Sequence, residues 1–324
     1  MGAFTELTAA ELAAVAALFQ LGTVRATRSI SAGTINSNFA IETERGRWFV
    51  RVNEHKTEHD VAWESRLVAA LADRGVPTPP PIAAHDGRPY AALPAHPGKW
   101  ISVFAWRPGG HLAPQAVSPD HAAKLGAALA AVHVAGLDLP ASWRRTSIYD
   151  HDHLVARFSR FAGSSDRQLA PAIAVLGEEI ALAEQAAAIR GAATHGIIHG
   201  DLFRDNVLWD RDRLVALLDF EQASGGSFAY DLAVCINDWA WVQGLRVDVV
   251  RGLLDGYRRV RELTASDRAA LLIEARAAAA RFTITRITDV YLAGVTNPEK
   301  DFRAFLARCE AWRGLALGQL SGLL

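Results

Sequence analysis

The sequence predicts an α+β chain in two lobes: a small antiparallel sheet with one long helix over residues 1–105, then a mostly helical lobe over residues 106–324. Three observations carry this. Short runs of alternating apolar and polar residues recur up to Trp106, helix-periodic apolar spacing takes over after it, and Arg107-Pro-Gly-Gly110 breaks the pattern between them. With 324 residues, half of them hydrophobic, the chain can bury more than one core.

In the first lobe, Thr8-Ala-Ala-Glu11 sets a hydroxyl and a carboxylate at reciprocal capping positions. The apolar-periodic run Leu12, Val15, Leu18 and Phe19 follows, and Gly22 ends it. Strands are expected at Thr23 to Ile30, Phe39 to Thr43 and Trp48 to Val52, the last two joined by a turn around Gly46. Between the first two lies the polar loop Ser31-Ala-Gly-Thr-Ile-Asn-Ser-Asn38. It is either a plain turn or a loop that lays backbone N–H groups over phosphates, with Gly33, Asn36, Ser37 and Asn38 as nucleotide contacts. It opens the strand that leads to Arg51, whose guanidinium is either solvated or clamps phosphate oxygens. A helix from Val61 to Arg74 carries Glu64 early, where it can ion-pair with Arg51. Arg74-Gly-Val-Pro-Thr-Pro-Pro-Pro81 stops that helix, because each proline disfavours helix at the residue before it. Pro89 to Leu93 and Trp100 to Trp106 are two further strands. The exit of the second is either an ordinary strand end or a hinge that meets an adenine, with Phe104 and Trp106 as contacts.

In the second lobe, Ser118-Pro-Asp120 is an N-cap followed by proline at the first helical position, and Leu125, Leu129 and Val132 recur at helical spacing. His133 closes that face as a satisfied buried histidine, and His151-Asp-His153 reads as a solvated helix start. A helix runs from about Pro171 to Ile189. Asn206 to Trp209 and Leu214 to Leu218 are apolar runs around the polar turn Asp210-Arg-Asp-Arg213, which is a hairpin pattern. Gln222 to Phe228, with Gly225-Gly226, reads as a short loop. Helices are then expected over Ala229 to Trp241, over Leu245 to Val260, over Ala269 to Thr288 behind a Thr264-Ala-Ser-Asp267 capping box, and over Asp301 to Trp312.

The chemistry concentrates in His199-Gly-Asp-Leu-Phe-Arg-Asp-Asn206 and Leu217-Leu-Asp-Phe-Glu221. A carboxylate, an amide five residues on, and a second carboxylate at the exit of the next hairpin follow the logic of phosphoryl transfer. Asp201 is placed to receive a hydroxyl proton, while Asn206 and Asp219 offer the oxygen ligands that Mg²⁺ on ATP prefers. No long segment fits between Asp219 and Asp231, which favours a small-molecule acceptor over a protein one. Asp231 can brace the loop. Asp238, beside Trp239, is either part of a partly buried polar helix face or a contact for an ammonium group. Arg281 and Arg286 are either surface salt-bridge partners or a clamp for a carboxylate.

Charges nearly cancel, 34 basic against 35 acidic, which argues against a nucleic-acid partner. Cys235 and Cys309 are expected to pack as small hydrophobes without a disulfide. The start of the sequence has no basic region and carries Glu6 and Glu11, so no secretory signal is expected. The most apolar stretch, Ala122 to Leu139, is interrupted by Lys124, His133 and Asp138 and is not expected to span a membrane. The expectation is a cytoplasmic protein acting on a small molecule.

At the two central stretches the chain resembles the aminoglycoside phosphotransferase and choline kinase superfamily, small-molecule relatives of the protein kinases. Further segments are similar to bacterial homoserine kinases of this type: Gly33-Thr-Ile-Asn-Ser-Asn-Phe39, Gly75-Val-Pro-Thr-Pro79, Ala229-Tyr-Asp-Leu-Ala-Val-Cys-Ile-Asn-Asp-Trp239, Gly256-Tyr-Arg258 and Arg281-Phe-Thr-Ile-Thr-Arg286. The resemblance implies a bilobal protein-kinase-like fold and ATP- and Mg²⁺-dependent phosphorylation of the L-homoserine hydroxyl, a step toward threonine. It implies Asp201 as general base, Asn206 and Asp219 as metal ligands, and roles for Asp238 and Arg281 or Arg286 in holding a zwitterion. The alternatives are a kinase for another amino alcohol or an aminoglycoside, and a nucleotide-binding module without turnover.

Overall fold

Period-two alternation in the first third of the chain closes into one antiparallel sheet. The computed structural model describes residues 5–30 and 36–315. These fall into two compact units, one reaching to Gly110 and including Val215–Glu221, the other running from His111 to Leu214 and onward from Gln222.

The first unit holds α1 (Ala9–Leu18), β1 (Val24–Ile30), β2 (Ser37–Thr43), β3 (Gly46–Asn53), α2 (Glu58–Asp73), β4 (Ala91–Ala92) and β5 (Trp100–Ala105). The sheet order is β1-β2-β3-β5-β4, all pairs antiparallel. Register decides which side chain faces where, because neighbours along a strand point to opposite faces. Phe39, Val50 and Val103 stand opposite one another, as do Val52 and Ile101. These line one face and pack with Leu12 and Val15 of α1 and with Phe19, which caps that helix. Each fully buried side chain of this kind is worth about 1.5–3 kcal/mol. The other face carries Asn38, Arg51 and Ser102 in one row. The helix α2 begins three residues earlier than its apolar pattern, because Thr57 and Asp60 form a reciprocal capping box.

The second unit is mostly helical: α3 (Pro119–Leu137), α4 (His151–Ser159), α5 (Ala170–Gln185), α6 (Ala187–Ala192), β6 (His195–Ile198), β7 (Val207–Asp210), β8 (Arg213–Leu217), β9 (Ser224–Ser227), α7 (Phe228–Trp239), α8 (Val247–Arg258), α9 (Ala265–Arg286) and α10 (Arg303–Gly314). The hairpin β7-β8 forms as expected. From Val215 to Glu221 the chain groups with the first unit.

Ser224–Ser227, expected as loop, is a strand paired antiparallel with β6. Its glycines have a packing reason: a Cβ on Gly226 would lie 2.4 Å from Ile198 Cδ1, inside any normal contact. Closer still is the crossing of α3 and α8. A Cβ on Gly256 would stand 1.9 Å from the Ala123 carbonyl oxygen, and one on Gly126 would stand 2.0 Å from that of Leu253. Backbone meets backbone there. No described helix is long and apolar enough to cross a membrane, and both cysteines are buried and free.

Candidate active site

In the first unit the alternation of β3 turns Arg51 away from the apolar core and toward α2. Its Nη1 donates to Glu64 Oε1 at 2.9 Å and lies 3.6 Å from Asp219 Oδ1. Burial opposes the charge on Arg51, but the carboxylates of Glu64, Asp219 and Glu221 outweigh it and hold the pKa above the usual arginine value. Asp219 adopts φ +62°, a left-handed conformation that Asp tolerates better than most residues. Glu221, two residues on, accepts from Asn36 Nδ2 at 3.0 Å and lies 3.9 Å from Lys56 Nζ. Burial and then Asp219 push its carboxyl upward against Lys56, Arg51 and Asn36.

The polar-loop residues are drawn into this unit. Asn36 also accepts from the Glu54 backbone N–H through Oδ1. The Ser37 hydroxyl donates to Glu54 Oε1 at 2.8 Å and accepts from the Thr5 backbone N–H. Both side chains are buried, so their polar atoms serve the fold. Asn38 stands opposite Arg51 in the β2–β3 register. Gly33 lies outside the described residues. At the other edge, the Phe104 ring centroid is 5.7 Å from the Arg51 guanidinium carbon. Trp106 stacks under Arg47 at 3.7 Å, and its backbone N–H donates to the Arg47 carbonyl. The Trp106 N–H is thus already engaged next to the sheet.

In the second unit one buried carboxylate organises the His199–Asn206 loop. Asp231 accepts from the backbone N–H of His199 at 2.7 Å, from that of Gly200 at 2.8 Å, and from His133 Nε2 at 3.0 Å. Burial alone would raise its carboxyl; the His133 hydrogen bond and the loop's donors bring it below the ordinary Asp value. His133 is itself buried and stacked on Phe228, with Nδ1 2.8 Å from the Tyr257 hydroxyl. Burial lowers its pKa, so it stays neutral, giving Nε2–H to Asp231 and taking the Tyr257 proton on Nδ1. Gly200 turns the chain at φ +77°, where a side chain would be strained.

The loop's functional groups follow from that bracing. Asn206 donates Nδ2 to the Asp201 carbonyl at 2.8 Å, which turns its own oxygen away from that carbonyl. An amide oxygen of this kind is a hard donor of the type Mg²⁺ takes. Asp201 is partly exposed, and its Oδ1 accepts from Arg281 Nη1 at 3.2 Å. The Arg281 guanidinium is buried beside the rings of Phe282, 3.8 Å away, and Tyr149, 4.1 Å away. Burial works against its charge, and Tyr230, Asp201 and Tyr149 more than offset this.

Of the residues expected at the acceptor, only Arg281 meets Asp201 directly among the described contacts. Asp238 is buried and held by Arg204, which no local pattern marks as its partner: it accepts from Arg204 N, Nε and Nη2 at 2.8, 3.0 and 3.2 Å. Trp239 is 1 % exposed, and its indole N–H donates to the Leu202 carbonyl. It supports the loop from behind and has no free face to offer a ligand. Arg286 donates to the Asp301 carbonyl at 3.1 Å and lies over Phe305.

A sheet-and-helix unit with a buried Arg–Glu pair, and a helical unit with an Asp and Asn on one braced loop, define a phosphotransferase that acts on small molecules. The profile of the phosphotransferase enzyme family (APH) matches residues 26–263, and the chain belongs to that family. It is 32 % identical to the homoserine kinase of Parvibaculum lavamentivorans (strain DS-1), covering 98 % of this chain and 97 % of that one. It is 34 % identical to the homoserine kinase of Caulobacter sp. (strain K31), covering 89 % of each. The resemblance to homoserine kinases read from the motifs therefore extends along nearly the whole chain. Among solved structures it is similar to the amicoumacin kinase hAmiN in complex with AMP-PNP, Ca²⁺ and Ami, with a TM-score of 0.75 at 16 % identity over 95 % of this chain and 96 % of that one. This places the fold with the kinase-like phosphotransferases.

Proposed function

We propose that the chain transfers the γ-phosphate of ATP to the hydroxyl of L-homoserine, acting with Mg²⁺. The observation that carries the reaction is the His199–Asn206 loop, pinned by Asp231 so that Asp201 stays partly exposed beside Arg281. The acceptor follows from the name shared by the relatives that match along the chain.

In this reading Asp201 takes the acceptor's hydroxyl proton as the oxygen forms its bond to the γ-phosphorus. The bond to the bridging oxygen breaks and ADP leaves. Asn206 and Asp219 would hold Mg²⁺, which would supply charge neutralisation when bound. Arg51, held by Glu64, orients the phosphates. Arg281 fixes the Asp201 carboxylate, so the base does not rotate out of reach. A coupled ADP-release assay with L-homoserine, L-serine, choline and an aminoglycoside tests the proposal. The highest kcat/KM is expected with L-homoserine, with turnover lost in EDTA. A clear preference for any other acceptor would overturn the assignment.

A further inference from the structure

Four guanidinium groups gather in the second unit, and three of them are already engaged. Arg281 pairs with Asp201, Arg204 binds Asp238 through Nε and Nη2, and Arg286 donates to the Asp301 carbonyl. Arg281 keeps a buried Nε without a partner, but its Nη1 holds Asp201; Arg308 Nη1 is also buried without a hydrogen-bond partner among the described residues, and no carboxylate there holds the rest of its guanidinium. A buried donor without an acceptor costs stability, and a guanidinium costs more than an amide. An anion arriving from outside would satisfy it.

Its position says which group. Arg308 lies on α10 three residues after Phe305, on the same helix face, with its guanidinium carbon 3.9 Å from that ring's centroid. Phe305 stacks against Phe203 with centroids 5.7 Å apart and planes 3° from parallel. Phe203 is two residues past Asp201 in the braced loop. Arg308 therefore stands beside an aromatic platform built against the loop that carries the proposed base. Burial pushes its pKa down to about 10; Asp238 favours the charge, while Arg286 and Arg204 oppose it. Asp238 is occupied by Arg204 on both oxygens. Asp201 is likewise taken by Arg281, and no described carboxylate reaches Arg308 Nη1, so the missing partner is an anion.

We propose that Arg308 binds the α-carboxylate of the amino-acid acceptor through its unpartnered Nη1–H, and that it selects amino acids over amino alcohols. The inference rests on L-homoserine being the acceptor. It is tested by comparing L-homoserine with 3-aminopropan-1-ol, the same molecule without its carboxylate, in the wild-type protein and in Arg308→Met and Arg308→Lys. The readout is the ratio of kcat/KM for the two acceptors, with circular dichroism and thermal unfolding reporting on the fold.

The wild type should favour L-homoserine, and Arg308→Met should lower the ratio about 10- to 100-fold, the range of one charge-assisted hydrogen bond. Arg308→Lys keeps the charge without the planar fork and should lower it at least threefold. It carries the test alone if the methionine variant does not fold. An unchanged ratio in the variants would overturn the proposal while leaving the kinase assignment standing, and a rise in KM for ATP alone would instead place a nucleotide phosphate at Arg308. A wild type that phosphorylates no L-homoserine would remove the acceptor assignment, and the inference with it.

Discussion

Replacing Asp231 by Asn tests the brace behind the loop with almost no change of shape. In the native protein one carboxylate oxygen accepts from Gly200, and the other accepts from His199 and His133. An amide has one oxygen, so its NH₂ must face at least one N–H donor, leaving that donor buried and unsatisfied. The lost acceptor and the lost charge assistance together cost about 3 kcal/mol. At about 2.1 cal/mol/K of unfolding entropy per residue, this lowers Tm by roughly 4–5 °C if the chain unfolds as one cooperative unit. Activity should suffer more than stability. A loop displaced by a fraction of an ångström misplaces Asp201, and misplacements on the order of 1 Å cost about 10²-fold in rate. The pH dependence has a definite sign. The folded pKa of Asp231 is depressed below 3.8, so its stabilising contribution is complete above that pH and is lost as pH falls through the folded value. Calorimetry at neutral pH and at pH 3, with the coupled assay at neutral pH, measures all of this. A variant within a degree of wild-type Tm and within twofold of its kcat would refute the brace.

Three other outcomes follow from the same geometry. Asp201→Ala should lower kcat by about 10²- to 10⁴-fold while titration calorimetry still detects nucleotide binding; near wild-type turnover would remove Asp201 as the base. Arg51→Met should cost about 3–5 kcal/mol by leaving the buried Glu64 without its cation, and denaturant unfolding with no loss of stability would show that the pair is expendable. The folded pKa of His133 lies below 6.5 because of burial, so the stability it contributes is full above pH 6.5 and declines as pH falls toward the folded value. Gln can reproduce both hydrogen bonds without titrating, so the wild-type Tm should fall further than that of His133→Gln between pH 7 and 5. Parallel curves would contradict the neutral-histidine assignment.

Short-range chemistry was the legible part of this chain. The Asp201–Asn206 spacing, the capping boxes at Thr8 and Thr264, and the β7-β8 hairpin depend on residues a few positions apart, and the structure contains each of them. The buried, satisfied state of His133 was also visible from its place on an apolar face. What escaped depends on distant partners. The strand at Ser224–Ser227 has no apolar alternation, and only the ladder from His195–Ile198 makes it a strand. Trp239, offered beside Asp238 as a face for an ammonium, lies on a helix that is buried along nearly its whole length. Asp238 invited an ammonium because nothing local pointed to Arg204, thirty-four residues away. Arg308 lies in the tail expected only as a helix, and its lack of a partner exists only once α10 has packed.

The glycine crossing of α3 and α8 ties catalytic competence to a place no substrate visits. His133 on one helix and Tyr257 on the other can share a hydrogen bond because Gly256 lets the two backbones touch. An added methyl at Gly256 would wedge the helices apart, draw the phenol off the imidazole and loosen the imidazole's hold on Asp231. Such a lesion would register in assays as a damaged reaction centre, although every atom of that centre retained its identity.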